Sequence, residues 1–231
     1  MEKNNLENFF NLFKTILIPI HKEGFKFITI FALATAIITM VSSDLGLIAL
    51  IATIWCIFFF RDPKRFTPQE QNLIVSPADG IINDIDEHAT PPAELGLAED
   101  SNWTKISIFL NVFNVHVNYI PAFGKIVKLN YKKGKFLSAN LKEASLENER
   151  QMILLEGKNQ EKIIFVQVAG LVARRIICDL KEGQEVSAGE KFGIIRFGSR
   201  VDIYLPRTAK IKALLGQTMI GAETIIAEYK I

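Results

Sequence analysis

The 231-residue sequence predicts an α+β fold that is predominantly β, with a compact β-rich domain preceded by an N-terminal membrane helical hairpin. Three observations carry this prediction. The hydrophobic share is 49%, and most of the excess lies before Arg61. Two apolar runs stand there back to back. From Leu73 onward the apolar residues recur with period two, in short runs broken by Gly, Pro and Asn.

The elements follow in chain order. Residues 1 to 20 hold an amphipathic pattern (Leu6, Phe9, Phe10, Leu12, Phe13, Ile16, Leu17) suited to a membrane surface. Phe25–Ser42 and Leu45–Phe60 are the apolar runs, separated by Ser43-Asp44. As helices they reach roughly 27 and 24 Å against a hydrocarbon core of about 30 Å. Together they read as a hairpin that crosses the bilayer and returns. A signal peptide fits less well, because about 24 residues precede the first run and no small-residue cleavage site follows it. A buried core hairpin is the other alternative. The second run ends in Phe58-Phe-Phe60 and then turns abruptly to Arg61-Asp-Pro-Lys-Arg65, the aromatic-then-basic order of a membrane interface. Lys14, Lys22 and Lys26 flank the other end, while the short turn carries Asp44. The positive-inside rule therefore puts both flanks, and the domain from residue 66 to 231, in the cytoplasm at the inner membrane.

In that domain, strand-like runs cover Leu73–Asp86, Thr104–Leu110, Val115–Ile120, Lys125–Tyr131, Gln151–Glu156, Lys162–Ala169, Arg174–Leu180, Lys191–Phe197 and Val201–Leu205. Ala139–Asn148 is the best helix candidate. Glu185-Val-Ser-Ala-Gly-Glu-Lys-Phe-Gly193 resembles the turn and strand of biotinyl and lipoyl domains, which points to hammerhead-like architecture. No exposed Met-Lys or Asp-Lys tip accompanies it, so a carrier function is a rival reading only.

Net charge is +2, and the basic residues fall in small groups with no continuous stripe, which argues against a nucleic-acid partner. The two cysteines, Cys56 and Cys178, share no metal or redox spacing, so neither a disulfide framework nor a metal site is expected.

Three segments place a reactive residue beside turn chemistry: Ser76-Pro-Ala-Asp-Gly80, Asn111-Val-Phe-Asn-Val-His-Val-Asn118 and Arg196-Phe-Gly-Ser-Arg200. Taken singly, the first is a turn, the second a strand with a structural histidine, and the third a bulge or hairpin. As a set they hold Asp79, His116 and Ser199, the types in which a carboxylate orients an imidazole that takes a proton from a nucleophilic hydroxyl. Of the three histidines, His21 lies at the membrane edge and His88 in a Thr/Pro-rich loop, leaving His116 as the natural base.

The ordered motifs resemble those of the short, membrane-bound phosphatidylserine decarboxylases. They are Ile20-His-Lys-Glu-Gly24, Phe59-Phe-Arg-Asp-Pro63, Ser76-Pro-Ala-Asp-Gly80, Asn114-Val-His-Val-Asn118, Gln167-Val-Ala-Gly-Leu-Val-Ala-Arg-Arg-Ile176 and Phe197-Gly-Ser199. The resemblance implies a proenzyme that cuts itself between Gly198 and Ser199. His116, oriented by Asp79, takes the proton of Ser199 Oγ, which attacks the Gly198 carbonyl. The ester then breaks by β-elimination. Ser199 becomes dehydroalanine and hydrolyses to a pyruvoyl with release of ammonia, leaving a β chain of residues 1–198 and an α chain of 199–231 held as a heterodimer. The pyruvoyl, the covalent cofactor, is implied to form a Schiff base with the serine amine of the anionic phospholipid substrate and to accept the electrons left by decarboxylation. The product is phosphatidylethanolamine.

Some longer relatives carry a second histidine three residues after the first, where this chain has Tyr119. Either His116 serves both self-cleavage and turnover, or another group donates the second proton. Arg174 and Arg175 are candidates for the substrate's phosphate or carboxylate, with an ordinary edge-strand pair as the alternative. A serine hydrolase using Asp79, His116 and Ser199 is the second rival function. Ether-lipid substrates and a higher oligomer both stay open.

Overall fold

The computed structural model describes residues 18–97, 102–134, 147–158, 160–170, 175–196 and 199–229. The chain divides into two units, Met1–Lys64 and Arg65–Ile231. The amphipathic segment up to residue 17, most of the helix candidate 139–148, Arg174 and Gly198 lie outside the described residues.

The first unit contains helices α1 (Gly24–Val41) and α2 (Ser43–Phe59). α1 is 18 residues long with a mean hydropathy of 2.0, long and apolar enough to cross a membrane. The chain breaks at Ser42, whose backbone is extended and whose side chain caps α2 at Leu45 N–H. Ser43 and Asp44, expected to form the break, lie instead in the first turn of α2. There Asp44 complements the positive end of the helix dipole. The helices meet through small and hydroxylated residues. Thr35 Oγ1 and Thr53 Oγ1 are 2.8 Å apart, and a side chain at Gly46 would strike Thr39. Outward-facing Leu33, Ile37, Leu47, Ile48 and Ile51 are exposed, the pattern of a surface solvated by lipid. The open ends of the hairpin are tied together, with His21 N–H donating to Phe60 O (2.8 Å) and Asp62 N–H to Pro19 O (2.7 Å). Both flanks therefore leave the hairpin on the same side.

The second unit is β-rich. Its described strands are β1 (Leu73–Val75), β2 (Gly80–Ala89), β3 (Trp103–Leu110), β4 (Val117–Tyr119), β5 (Gly124–Lys132), β6 (Arg150–Glu156), β7 (Lys162–Ala169), β8 (Ile176–Cys178), β9 (Glu185–Val186), β10 (Lys191–Ile195), β11 (Ser199–Pro206), β12 (Ala209–Ile211), β13 (Thr218–Met219) and β14 (Ile225–Tyr229). The largest sheet runs β13-β2-β3-β11-β7-β6-β5-β9, and two smaller sheets run β1-β14-β12 and β4-β10-β8.

β11 lies in the middle of the large sheet, antiparallel to β3 on one side and β7 on the other. Its side chains alternate between two cores. Val201, Ile203 and Leu205 join Ile106, Ile108 and Phe165 in the main core. Arg200, Asp202 and Tyr204 occupy the opposite register, where Tyr204 packs with Trp103, Met152, Ile164 and Val166. On that face Arg200 Nε and Asp202 Oδ1 form a fully buried ion pair at 2.9 Å.

The expected run Leu73–Asp86 is two strands, β1 and β2, split by the Ser76–Asp79 turn. The expected strand Val115–Ile120 shortens to β4, because Val115 and His116 still belong to the exit of the preceding turn. The turn inside Glu185–Gly193 joins β9 to β10, with Gly189 at a φ of 81° that only glycine adopts without strain.

Candidate active site

Ser199 opens β11. Its backbone faces Leu110 of β3 and Ala169 of β7, and the residue is fully buried. Its side chain points to the main-core side, in register with Val201 and Ile203. Among the described residues, Ser199 Oγ has no hydrogen-bond partner. Leaving a hydroxyl buried and unpaired costs about 1–3 kcal/mol, a cost that concentrates at reactive sites. Ala169, opposite Ser199, is held firmly: its N–H donates to Glu149 O (2.9 Å) and its carbonyl accepts from Asn148 Nδ2 (2.7 Å).

His116 reaches the same end of the sheet from β3. Leu110 pairs with Ser199, and the chain then folds into a turn locked by its own asparagines. Asn114 N–H donates to Asn111 O (3.0 Å), Asn111 N–H to Asn114 Oδ1 (2.9 Å) and Phe113 N–H to Asn111 Oδ1 (2.8 Å). His116 emerges from this turn, fully buried, with Nδ1 3.0 Å from the carbonyl oxygen of Asn114. A carbonyl oxygen can only accept, so Nδ1 carries the proton and Nε2 carries the basic lone pair. Ile195 N–H, at the end of β10, donates to His116 O (3.4 Å), and β10 leads by Arg196 toward Ser199.

Asp79 arrives at this end from β2. Both its carboxylate oxygens accept from Arg65 Nη2, at 2.7 and 2.8 Å, and Oδ1 also accepts from Gly221 N–H at 2.8 Å. The turn that carries Asp79 is clamped to the turn at 220–224. Ser76 N–H donates to Thr224 O, Ala222 N–H donates to Ser76 O, and Ser76 Oγ donates to Ala78 O at 2.7 Å. Gly80 has a φ of 151° and packs so closely on the Phe109 carbonyl that no Cβ fits.

Tyr119 lies beneath. Its N–H donates to Pro77 O (2.9 Å), and its hydroxyl is 3.5 Å from Arg65 Nε. Burial lowers the Arg65 pKa, but the bonds to Tyr119 and Asp79 outweigh it, and the guanidinium stays above its ordinary value and fully cationic. Gln167 Nε2 donates to Asn118 Oδ1 (2.9 Å), both side chains being fully buried, so a polar floor of amides joins β7 to β4.

The fold therefore brings the segments of Asp79, His116 and Ser199 to one end of the large sheet. The described bonds of the carboxylate go to Arg65 and Gly221, and that of Nδ1 goes to Asn114. Arg175 is exposed on the loop before β8. The sequence alone does not mark Arg65, Tyr119, Asn118 or Gln167 as site residues. By composition Arg65 belongs to a basic membrane flank, and the one hint of another role is its place two residues beyond Phe59-Phe-Arg-Asp-Pro63. Cys178 is a free, half-buried thiol whose pKa is raised by burial, away from the reactive thiolate range.

Comparison with known proteins is consistent with this picture. A family model described as phosphatidylserine decarboxylase matches residues 52–227. The chain is 54% identical over 224 residues to the phosphatidylserine decarboxylase proenzyme of Rickettsia felis, covering 97% of this chain and 94% of that one. The Rickettsia typhi proenzyme matches to the same extent. The Rickettsia akari proenzyme is 56% identical over 219 residues, 95% of this chain and 92% of its own.

Proposed function

Since the chain belongs to the phosphatidylserine decarboxylase family, we propose that it converts phosphatidylserine to phosphatidylethanolamine and carbon dioxide with a pyruvoyl group made from its own Ser199. The observation that carries the pyruvoyl reading is the Ser199 hydroxyl, buried and without a hydrogen-bond partner among the described residues at the first position of a central strand. The family's name for its relatives, proenzyme, agrees with a chain that is processed before it works.

In self-cleavage, His116 Nε2 removes the Ser199 Oγ proton while Asn114 holds Nδ1–H and so fixes the tautomer. Oγ adds to the Gly198 carbonyl, and the Gly198–Ser199 C–N bond breaks to give an ester and a free amine on residue 199. Loss of the Ser199 α-proton then breaks Cβ–Oγ, so Gly198 leaves as a carboxylate that keeps the oxygen. Water converts the resulting enamine to a ketone and releases ammonia. Asp79, anchored by Arg65 and Gly221, is the carboxylate that orients His116 in this reading.

Cutting before Ser199 leaves the new chains joined. β11 remains paired to β3 and β7, β12 and β14 form one sheet with β1, and β13 pairs with β2. The finished pyruvoyl supplies a ketone for the substrate amine and a sink for the electron pair left by carbon dioxide. His116, the buried imidazole at this end of the sheet, returns the proton to the substrate α-carbon, with Tyr119 held by Arg65. Arg175, and Arg174 before it, offer positive charge to the headgroup phosphate or carboxylate.

The helix pair supports anchoring in the inner membrane. Lys22, Lys26, Arg61 and Lys64 at its open end and Asp44 at its turn favour a cytoplasmic β-rich unit. The test is Ser199→Ala. It should remain one 26.0-kDa chain and release no carbon dioxide from phosphatidylserine, while the parent runs as two chains. A Ser199→Ala protein that decarboxylates would overturn the reading.

A further inference from the structure

On the main-core side of the large sheet, β7 presents Ile163, Phe165, Gln167 and Ala169, and β11 beside it presents Ser199, Val201, Ile203 and Leu205. Six of these eight belong to the apolar core. The two polar exceptions are neighbours. Ser199 faces Ala169, and Gln167 faces Val201, one step along the same face. Such diagonal neighbours across a ladder stand about 7–8 Å apart, still within reach of a long side chain.

Gln167 crosses from β7 to the sheet of β4, β10 and β8. Its Nε2 donates to Asn118 Oδ1 of β4 at 2.9 Å and to Ile177 O of β8 at 3.3 Å. Gly193 makes the room, because a Cβ there would strike Ile177 O and lie 3.1 Å from Gln167 Nε2. The Ile177 carbonyl can only accept, so the atom that bonds it is the Gln167 nitrogen, and the Asn118 atom that bonds this nitrogen is the oxygen. Both hydrogens of the Gln167 amide are then used. One acceptor, Gln167 Oε1, and one donor, Asn118 Nδ2, are left. Both side chains are fully buried, and neither atom has a partner among the described residues. Asn118 faces Gly193 and Val117 faces Ile194, while Ile195 N–H donates to His116 O, so His116 continues the same ladder toward Ser199. The amide pair thus lies one step below His116 on one sheet and one step below Ser199 on the other.

A donor and an acceptor left over in two bonded amides, inside an apolar core, suit a bound water, which meets both needs. The proposed maturation of Ser199 consumes one water after the chain is cut. The enamine on residue 199 moves a proton from nitrogen to Cβ and becomes an imine. Water adds through its oxygen to the imine carbon, and the nitrogen leaves as ammonia, so that a ketone remains. We propose that Asn118 and Gln167 hold this water, with Nδ2 donating to its oxygen and Oε1 accepting one of its protons. Its second lone pair is then available to residue 199. The inference rests on the pyruvoyl reading of Ser199 and gives the hydrolytic step its own residues, apart from the His116 and Asp79 that serve the cut.

The full chain is synthesised in the presence of phospholipid vesicles and quenched with borohydride at intervals. Borohydride reduces the imine to alanine, which N-terminal sequencing reads, and the ketone to a lactoyl group, which blocks sequencing; intact mass separates the two. The double variant Asn118→Leu, Gln167→Met replaces both amides by apolar groups of similar shape, an exchange that folding tolerates. It should be cut at the parent's rate, but the form read as alanine should persist about tenfold longer, the effect of one lost hydrogen bond. Ketone formation at the parent's rate overturns the proposal. So does an equal slowing of the cut and of ketone formation, which is the mark of a merely structural pair. If the double variant stays uncut, Asn118→Asp, which keeps the acceptor for Gln167 Nε2 and removes the donor, is read in the same way, and an uncut chain there also overturns the proposal. A parent that keeps serine at residue 199 while it decarboxylates refutes the pyruvoyl reading itself, a result independent of any difference among the variants.

Discussion

Arg65 Nη2 lies 2.7 and 2.8 Å from the two carboxylate oxygens of Asp79, while its Nε lies 3.5 Å from the hydroxyl of Tyr119. One guanidinium thus bonds both the acidic residue of the Ser76–Gly80 turn and the residue three positions beyond His116. If Asp79 supports the base through its charge and position, its loss of Arg65 should slow chain cleavage. Arg65→Ala is expected to cut the cleavage rate by about tenfold, in line with one charge-assisted hydrogen bond. Arg65→Lys, which can still reach the carboxylate, should recover most of that rate. A gel time course measures both, and equal defects in the two variants would contradict the positioning role.

The Asn114 carbonyl fixes Nδ1–H of His116, so Nε2 is the only ring nitrogen left to act as base. His116→Ala should accumulate as an uncut chain of 26.0 kDa on a gel. Complete processing in that variant would remove His116 from the self-cleavage chemistry.

Glu94 is the clearest source of pH dependence. The bond from Lys132 lowers its pKa most, burial opposes, and Arg150 adds to the lowering, for a net shift from 4.5 to about 2. The folded-state value is depressed, so its stabilisation is present above 4.5 and is lost as pH falls toward about 2. After solvent screening the contribution is about 1 kcal/mol. Glu94→Gln should therefore unfold more readily than the parent at neutral pH, with the gap closing between those two pH values. Denaturation at several pH values in detergent reads this directly.

The Arg200–Asp202 pair is sealed inside the face of β11 opposite Ser199. Asp202→Ala removes the carboxylate but leaves the guanidinium buried, and should cost about 3–5 kcal/mol of stability. Chemical denaturation followed by near-UV circular dichroism checks this. A loss within the error of the parent value would mean that water or a rearranged partner solvates Arg200.

Much of this architecture is legible in the sequence because two strong periodicities carry it. The apolar runs at 25–42 and 45–60 become α1 and α2 almost residue for residue, with only the break moving to Ser42. The alternating runs at 104–110, 125–131, 151–156 and 162–169 become β3, β5, β6 and β7. The shorter pieces are not legible. Ala209–Ile211 and Thr218–Met219 are too brief to show a period, and their strand character comes from their partners, Ile225–Tyr229 near the end of the chain and the distant Gly80–Ile81. The link from Arg65 to Asp79 is hidden for a similar reason. A basic residue just beyond an apolar helix fits a membrane flank on composition alone, and only the fold shows its guanidinium on a carboxylate. Ser199 itself, one Gly-Ser among ordinary turns, gains meaning from its place beside Leu110 and Ala169, where a hydroxyl is buried without a described partner.

The mass of the mature protein tests the central claim most directly. Intact-protein mass spectrometry of the active enzyme should show two chains, residues 1–198 and a chain beginning at residue 199 that is lighter than the plain peptide by one ammonia and blocked to N-terminal sequencing. Active protein present only as one unmodified full-length chain would contradict it.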